Sequence, residues 1–138
     1  MNANELRIGN KILFIICDKE DSKLDEKKEI TVDISDFEFI RDNDSLFEGI
    51  PLTEEWLLKF GFVNNHEYTY TLYFNCVFGY LNELEFFFEP NEDVCITLRQ
   101  KDISEKEKES IFLNKLEYAH QLQNLYFALT NEELTLKT

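Results

Sequence analysis

The sequence predicts an α+β fold: an antiparallel sheet of about 4–6 strands, with a short central helix and a C-terminal helix packed on one face. Three observations predict it. Several segments alternate apolar and polar residues at the period of a half-buried strand, most cleanly Ile30, Val32 and Ile34 against Thr31 and Asp33. Thr53-Glu54-Glu55 opens, and Gly61 closes, a short stretch with helix punctuation at both ends. Near the C-terminus Tyr118, Leu122, Leu125, Tyr126 and Leu129 recur at three- and four-residue spacing.

Taken in order, Arg7 to Cys17 is rich in Ile and Phe and reads as a first strand, with a bend at Gly9-Asn10. Asp18 to Lys28 is a charged loop of mixed sign. Glu29 to Ile34 is the alternating strand, and Phe37, Phe39 and Ile40 continue it as irregular structure or strand. Pro51 cannot extend a preceding central strand. After it, Thr53 is the N-cap of a helix over 54–60, Leu52 and Leu57 form its hydrophobic staple, and the two glutamates sit at the positive end of its dipole. Tyr68 to Val77, Leu81 to Glu89 and Val94 to Arg99 read as strands of a meander, with Pro90-Asn91-Glu92-Asp93 as a turn. Ser104 with Glu107 fits a capping box, which predicts a helix from 105, either separate from or continuous with the one over 116–129. Asn131 is placed to end that helix in the left-handed conformation.

At 138 residues the chain is predicted to be one domain, 1–138, large enough to fold without staples. Cys17, Cys76 and Cys95 are odd in number, widely spaced and set among apolar neighbours, which fits buried free thiols in a reducing cytosol rather than a disulfide framework or zinc site. The first residues lack the basic-then-apolar order of a secretory leader, and the longest apolar run, Ile12 to Cys17, is too short to span a membrane. A cytoplasmic protein is expected. Its net charge is −14. Residues 31–60 carry eight acids and two bases, and residues 61–100 carry six and one, so −11 of the −14 lies in the middle of the chain. Such a field opposes direct binding of nucleic acid or anionic membrane and favours a basic protein surface. Solubility alone is the competing explanation of the acidity.

No catalytic, cofactor or metal site is predicted. Walker, Rossmann, nucleophile-elbow and HExxH patterns are all absent. Asp42-Asn43-Asp44 followed by Glu48-Gly49 imitates a calcium loop, but Leu46 and Phe47 stand where an oxygen ligand and a glycine are required. His66 and His120 are not at ligand spacing. His66 is expected in an exposed turn, and His120 is expected to make a structural hydrogen bond. Tyr68, Tyr70, Tyr73 and Phe74 could stack bases only beside a positive groove, which this region lacks, so they are assigned to core and cross-strand pairing.

Three segments carry a resemblance: Asn4-Glu5-Leu6-Arg7-Ile8-Gly9-Asn10; Ile50 to Phe62; and His120 to Thr130 with Glu132-Glu133-Leu134. Together they resemble a family of small uncharacterised proteins from bacterial phages, prophages and mobile elements, in which position 131 is as a rule Gly rather than Asn. The resemblance implies a viral setting inside a bacterial host cell and brings no catalytic residues. In that setting the acidity suggests an inhibitor of a nucleic-acid-targeting host defence, of the anti-CRISPR or anti-restriction type. It would engage the basic surface of a defence nuclease through protein–protein binding. The candidate contacts are Asp33, Asp36, Glu38, Asp42, Asp44, Glu48, Glu83, Glu85 and Glu89. The alternative is a non-enzymatic accessory or structural phage protein that associates with itself.

Overall fold

The computed structural model describes residues 1–16, 26–77, 80–88, 94–102, 107–113 and 115–137. The fold is α+β, and the described residues form a three-stranded and a five-stranded antiparallel sheet and three α-helices. Where the sequence predicts one sheet, the described strands form two, and the contacts gather into two compact units. Unit 1 is Met1–Pro51 with Glu117–Glu133; unit 2 is Leu52–Leu116 with Leu134–Thr138. Alternation in a sequence marks a strand with a buried face without saying which sheet it joins, so two sheets read like one.

In unit 1, β1 (Lys11–Ile16) lies between β2 (Glu26–Thr31) and β3 (Phe47–Gly49). Ile12 stands opposite Ile30 on one side and Gly49 on the other. Leu6, Ile12, Val32, Ile40 and Phe47 form the buried core, with Phe14, Ile30 and Phe37 packed against it. The chain leaves β2 after Thr31, earlier than its alternation predicts. Asp33 and Asp36 form a reciprocal capping box that turns it into a 3-10 turn, Ile34–Asp36, leading into α1 (Phe37–Asp42). Ile34 therefore leaves the core face for solvent, and the 37–40 stretch is helical rather than irregular or strand. A second 3-10 turn, Asp44–Leu46, returns the chain to β3.

The last helix of the chain is α3 (Ala119–Thr130). It starts later than the predicted 116 because the chain before it is extended: Tyr118 bridges to Pro51, and the Ala119 N–H donates to the Ile50 carbonyl at 2.9 Å. It ends as predicted, with Asn131 left-handed at φ 58° and its N–H donating to the Phe127 carbonyl. Polar side chains of α3 latch onto the Glu5–Lys11 segment. Gln123 accepts from the Lys11 N–H at 2.8 Å and donates to the Gly9 carbonyl at 3.1 Å, while Asn124 donates to the Glu5 carbonyl at 2.7 Å. Fully buried Asn10 accepts from the Arg7 N–H at 2.7 Å and donates to Asn124 at 3.0 Å. The loop they hold turns at Gly9, whose φ of +90° suits a residue without Cβ. Arg7 lies 3.5 Å over the Phe127 ring and bonds Glu133 at 2.8 Å.

Unit 2 opens with α2 (Glu54–Lys59), close to the predicted helix. Thr53 caps it by accepting from the Trp56 N–H at 3.4 Å, and Leu52 and Leu57 are both buried. Gly61, at φ +90°, reverses the chain while the Phe62 N–H donates to the Leu57 carbonyl, a Schellman closure. Then β4 (Val63–His66), β5 (Thr69–Val77), β6 (Tyr80–Phe87), β7 (Cys95–Asp102) and β8 (Glu107–Leu113) pair in chain order as a meander. One face stacks Tyr70, Phe86 and Ile96 in one row and Leu72, Leu84 and Leu98 in the next. Phe62 meets Phe86 edge-on at 5.4 Å.

The helix predicted from 105 is instead β8. Its Ile111 and Leu113 continue the rows of Leu98 and Ile96, and pairing along β7 satisfies its backbone in place of the expected helical turn. Ser104, the predicted 90–93 turn and the 18–25 part of the charged loop lie outside the described residues.

Candidate functional site

The nine acids singled out by charge fall into different physical situations. Asp33, Asp36, Glu38, Asp42 and Asp44 follow one another along the 3-10 turn, α1 and the second turn of unit 1. Asp33 and Asp36 are already engaged in capping: the Ile34 N–H donates to one and the Asp33 N–H to the other, at 2.6 and 2.8 Å. Asp42 takes the Arg41 guanidinium at 2.9 Å, and this contact holds Arg41 above its usual pKa. Glu38 and Asp44 are exposed and make no ion pair among the described residues. Glu48, on β3, holds Lys27 of β2 at 2.6 Å.

Apolar side chains stand among these carboxylates. Phe39 of α1 is 51% exposed, and Ile34 is more open still. Phe39 meets Phe14 and Phe47 edge-on, at ring separations of 6.3 and 5.9 Å. Phe14, Ile30, Asp36, Phe39 and Phe47 line a shallow depression of about 200 Å³. Charge counting found the acids of this segment but not its apolar centre, because a lone Phe39 reads as core.

In unit 2 the picture differs. Glu83 is only 4% exposed and pairs with Lys101 at 2.9 Å, while Glu85 pairs with Arg99 at 3.0 Å. Both pairs run diagonally between β6 and β7, two positions off the direct register. The Glu83 carboxylate raises the Lys101 pKa, chiefly by hydrogen bonding. A buried, paired carboxylate such as Glu83 presents little acidic surface, and Glu85 is half-buried and paired as well. Glu89 lies outside the described residues.

His120 departs from expectation. It is 1% exposed, yet neither ring nitrogen has a hydrogen-bond partner within normal distance among the described residues. Its nearest ionic neighbour is Glu5, with 3.8 Å between Nε2 and the carboxylate. Burial pushes its pKa down, against the opposing pull of Glu5, so the ring is neutral at pH 7. The Tyr118 ring stacks on it at 5.7 Å and 10°. Both line a cleft of about 460 Å³ in unit 1, together with Glu5, Phe47, Glu48 and Gly49. Tyr118 is held against the Gly49 backbone so closely that a Cβ there would lie 2.5 Å from its ring. Sequence spacing gives no sign of this cleft, since its walls come from three distant segments.

Of the thiols, Cys95 is free and half-buried; the Cys17 and Cys76 side chains lie outside what is described. His66 is exposed, as expected. Of the aromatic run, Tyr70 and Phe74 are buried and Tyr73 is exposed. Among the described residues no cluster of three or more His, Cys, Asp or Glu is placed to hold a metal ion, and no helix is long and apolar enough to cross a membrane. No protein-family profile, no curated protein and no solved structure matches the chain.

Proposed function

We propose that this protein acts by binding a basic protein surface, as an inhibitor of a nucleic-acid-targeting host defence of the anti-CRISPR or anti-restriction kind. The observation that carries it is the 33–44 segment of unit 1, where exposed Ile34 and Phe39 stand among five carboxylates and the one base, Arg41, is already tied to Asp42. An apolar centre with a charged rim is the usual anatomy of a binding surface, with the anchor supplying affinity and the charge supplying steering and selection. Glu38 and Asp44 are the acids best placed to meet a cationic partner, because both are exposed and neither is in an ion pair among the described residues. The host setting and the nuclease target rest on the resemblance of the Asn4–Asn10, Ile50–Phe62 and His120–Thr130 segments to phage and mobile-element proteins.

The test is capture from the bacterial host at low salt, elution by a salt step, and reconstitution with the purified protein that elutes. The reading requires a nucleic-acid-binding protein that nucleic acid competes away, and whose binding is lost in Phe39→Ala and in Glu38→Lys/Asp44→Lys. A complex indifferent to salt and to both variants sinks it. A second reading, self-association as an accessory phage protein, is favoured by the open edge of β8, where Phe112 is 76% exposed beside exposed Ile111. It requires a defined homo-oligomer by sedimentation velocity that Phe112→Lys dissolves.

A further inference from the structure

We propose that the cleft beside the start of α3 is a binding site for a guanidinium group, which Glu5 and Glu48 hold against the Tyr118 ring and next to His120. Four features of unit 1 support this. The side chains lining the cleft include two carboxylates and no Lys or Arg. One of them, Glu48, already pairs with the Lys27 ammonium at 2.6 Å through one oxygen, Oε2. Glu5 has no Lys or Arg on it among the described residues and faces Nε2 of His120 across 3.8 Å.

His120 supplies the second, independent sign. It is 1% exposed, with both nitrogens unsatisfied among the described residues, a condition that native interiors rarely leave without a partner. A neutral imidazole offers one lone-pair nitrogen, which a cationic donor can use. Tyr118, stacked on His120 and pressed against Gly49, gives the cleft a rigid aromatic wall of the kind on which a guanidinium lies flat.

The alternatives fit less well. An anion would meet two carboxylates, and the start of α3 offers it little. The Ala119 N–H is taken by the Ile50 carbonyl, and those of Gln121 and Leu122 by the Tyr118 carbonyl. A divalent metal would need a third protein ligand beside His and carboxylate, and no such cluster exists among the described residues. A simple ammonium has three donors for two carboxylates and an imidazole and no planar face, whereas a guanidinium has five donors in a flat fork that also lies along an aromatic ring. A volume of about 460 Å³ takes an arginine side chain or a small guanidine compound.

The site is independent of the acidic surface on residues 33–44, so either can fail alone. The experiment is an NMR titration of the full chain, following the His120 imidazole and the Glu5 and Glu48 carboxylates. The probes are agmatine, as a free small guanidine, an Arg-containing tripeptide, as a protein-borne one, and the matching Lys tripeptide. The expected result is saturable shifts at all three residues with a guanidinium probe, and an affinity about tenfold lower in the exposed-site variant Glu5→Gln. Tighter binding of the tripeptide assigns the source to a protein side chain; tighter binding of agmatine assigns it to a small molecule. No shifts up to millimolar probe, equal binding by Lys, or full affinity in Glu5→Gln overturns the proposal.

Discussion

Replacing Gln123 by Ala tests whether the polar latch holds unit 1 closed. The side chain is buried and serves two backbone groups at once, the Lys11 N–H and the Gly9 carbonyl. Removing it leaves one donor and one acceptor without partners, at about 1–3 kcal/mol each. Some entry of water into the space left behind offsets part of that sum, so the expected loss is about 2–4 kcal/mol, a large share of a typical domain's stability. Gln123→Glu sharpens the test: its carboxylate still accepts from Lys11 but meets the Gly9 carbonyl acceptor to acceptor as a buried charge, so a loss at least as large as that of Gln123→Ala is expected at neutral pH. The assay is urea unfolding followed by circular dichroism, with amide exchange read at Lys11 and at Val32, whose N–H donates to the Asn10 carbonyl. Exchange at both sites should accelerate in step with the lost stability. A Gln123→Ala protein within about 0.5 kcal/mol of the parent, with Lys11 still protected, would show that the latch contributes nothing and that the core alone positions α3.

Three further outcomes are expected. His120 has its pKa lowered in the fold, chiefly by burial, so the unfolded chain binds its proton first; its contribution to stability is full above the unfolded value of about 6.5 and falls as pH drops below it, and in His120→Gln that part of the slope should be lost. Glu83→Ala strands the Lys101 ammonium on the sheet and should cost about 1–3 kcal/mol in urea unfolding, whereas Glu38→Ala on exposed α1 should change stability by less than about 0.5 kcal/mol. Asn131→Gly places at φ 58° the residue that tolerates it best, and should raise the melting temperature through a gain of about 0.5–1 kcal/mol.

Local signals were legible where neighbours in sequence are also partners in space. The α2 helix shows it fully: Thr53, the Leu52–Leu57 staple and Gly61 all lie within ten residues of one another and do what their chemistry predicts. Strands β5, β6 and β7 pair with their sequence neighbours and were legible for the same reason, whereas the short, exposed β4 and the edge strand β8 were not. The Ser104–Glu107 box misled because a capping signal is worth little against a ladder that runs the length of β7. α1 went unseen although Asp33 and Asp36 announce it; the apolar Phe37, Phe39 and Ile40 spoke louder for strand. The latch was invisible because buried Asn10 and Gln123 look, as residue types, like surface. The same limit governs the acids. Composition placed the charge in the middle of the chain, but only contacts separate Glu83, neutralised between strands, from Glu38, open on a helix.

The latch also sets an order of events during synthesis. Gln123 and Asn124 are made 114 and 119 residues after the carbonyls of Gly9 and Glu5 that they hold. At about 5–20 residues per second, a ribosome leaves those carbonyls waiting for roughly 6–24 s. Meanwhile β4 to β8 emerge in sequence, each able to pair with the strand just before it. The part of the chain that is born first is thus the part completed last. In the interval Met1–Pro51 already carries its own core of Leu6, Ile12, Val32, Ile40 and Phe47 but lacks the latch and the buried Ala119 and Leu122 of α3, and it is there that a protease would find its opportunity.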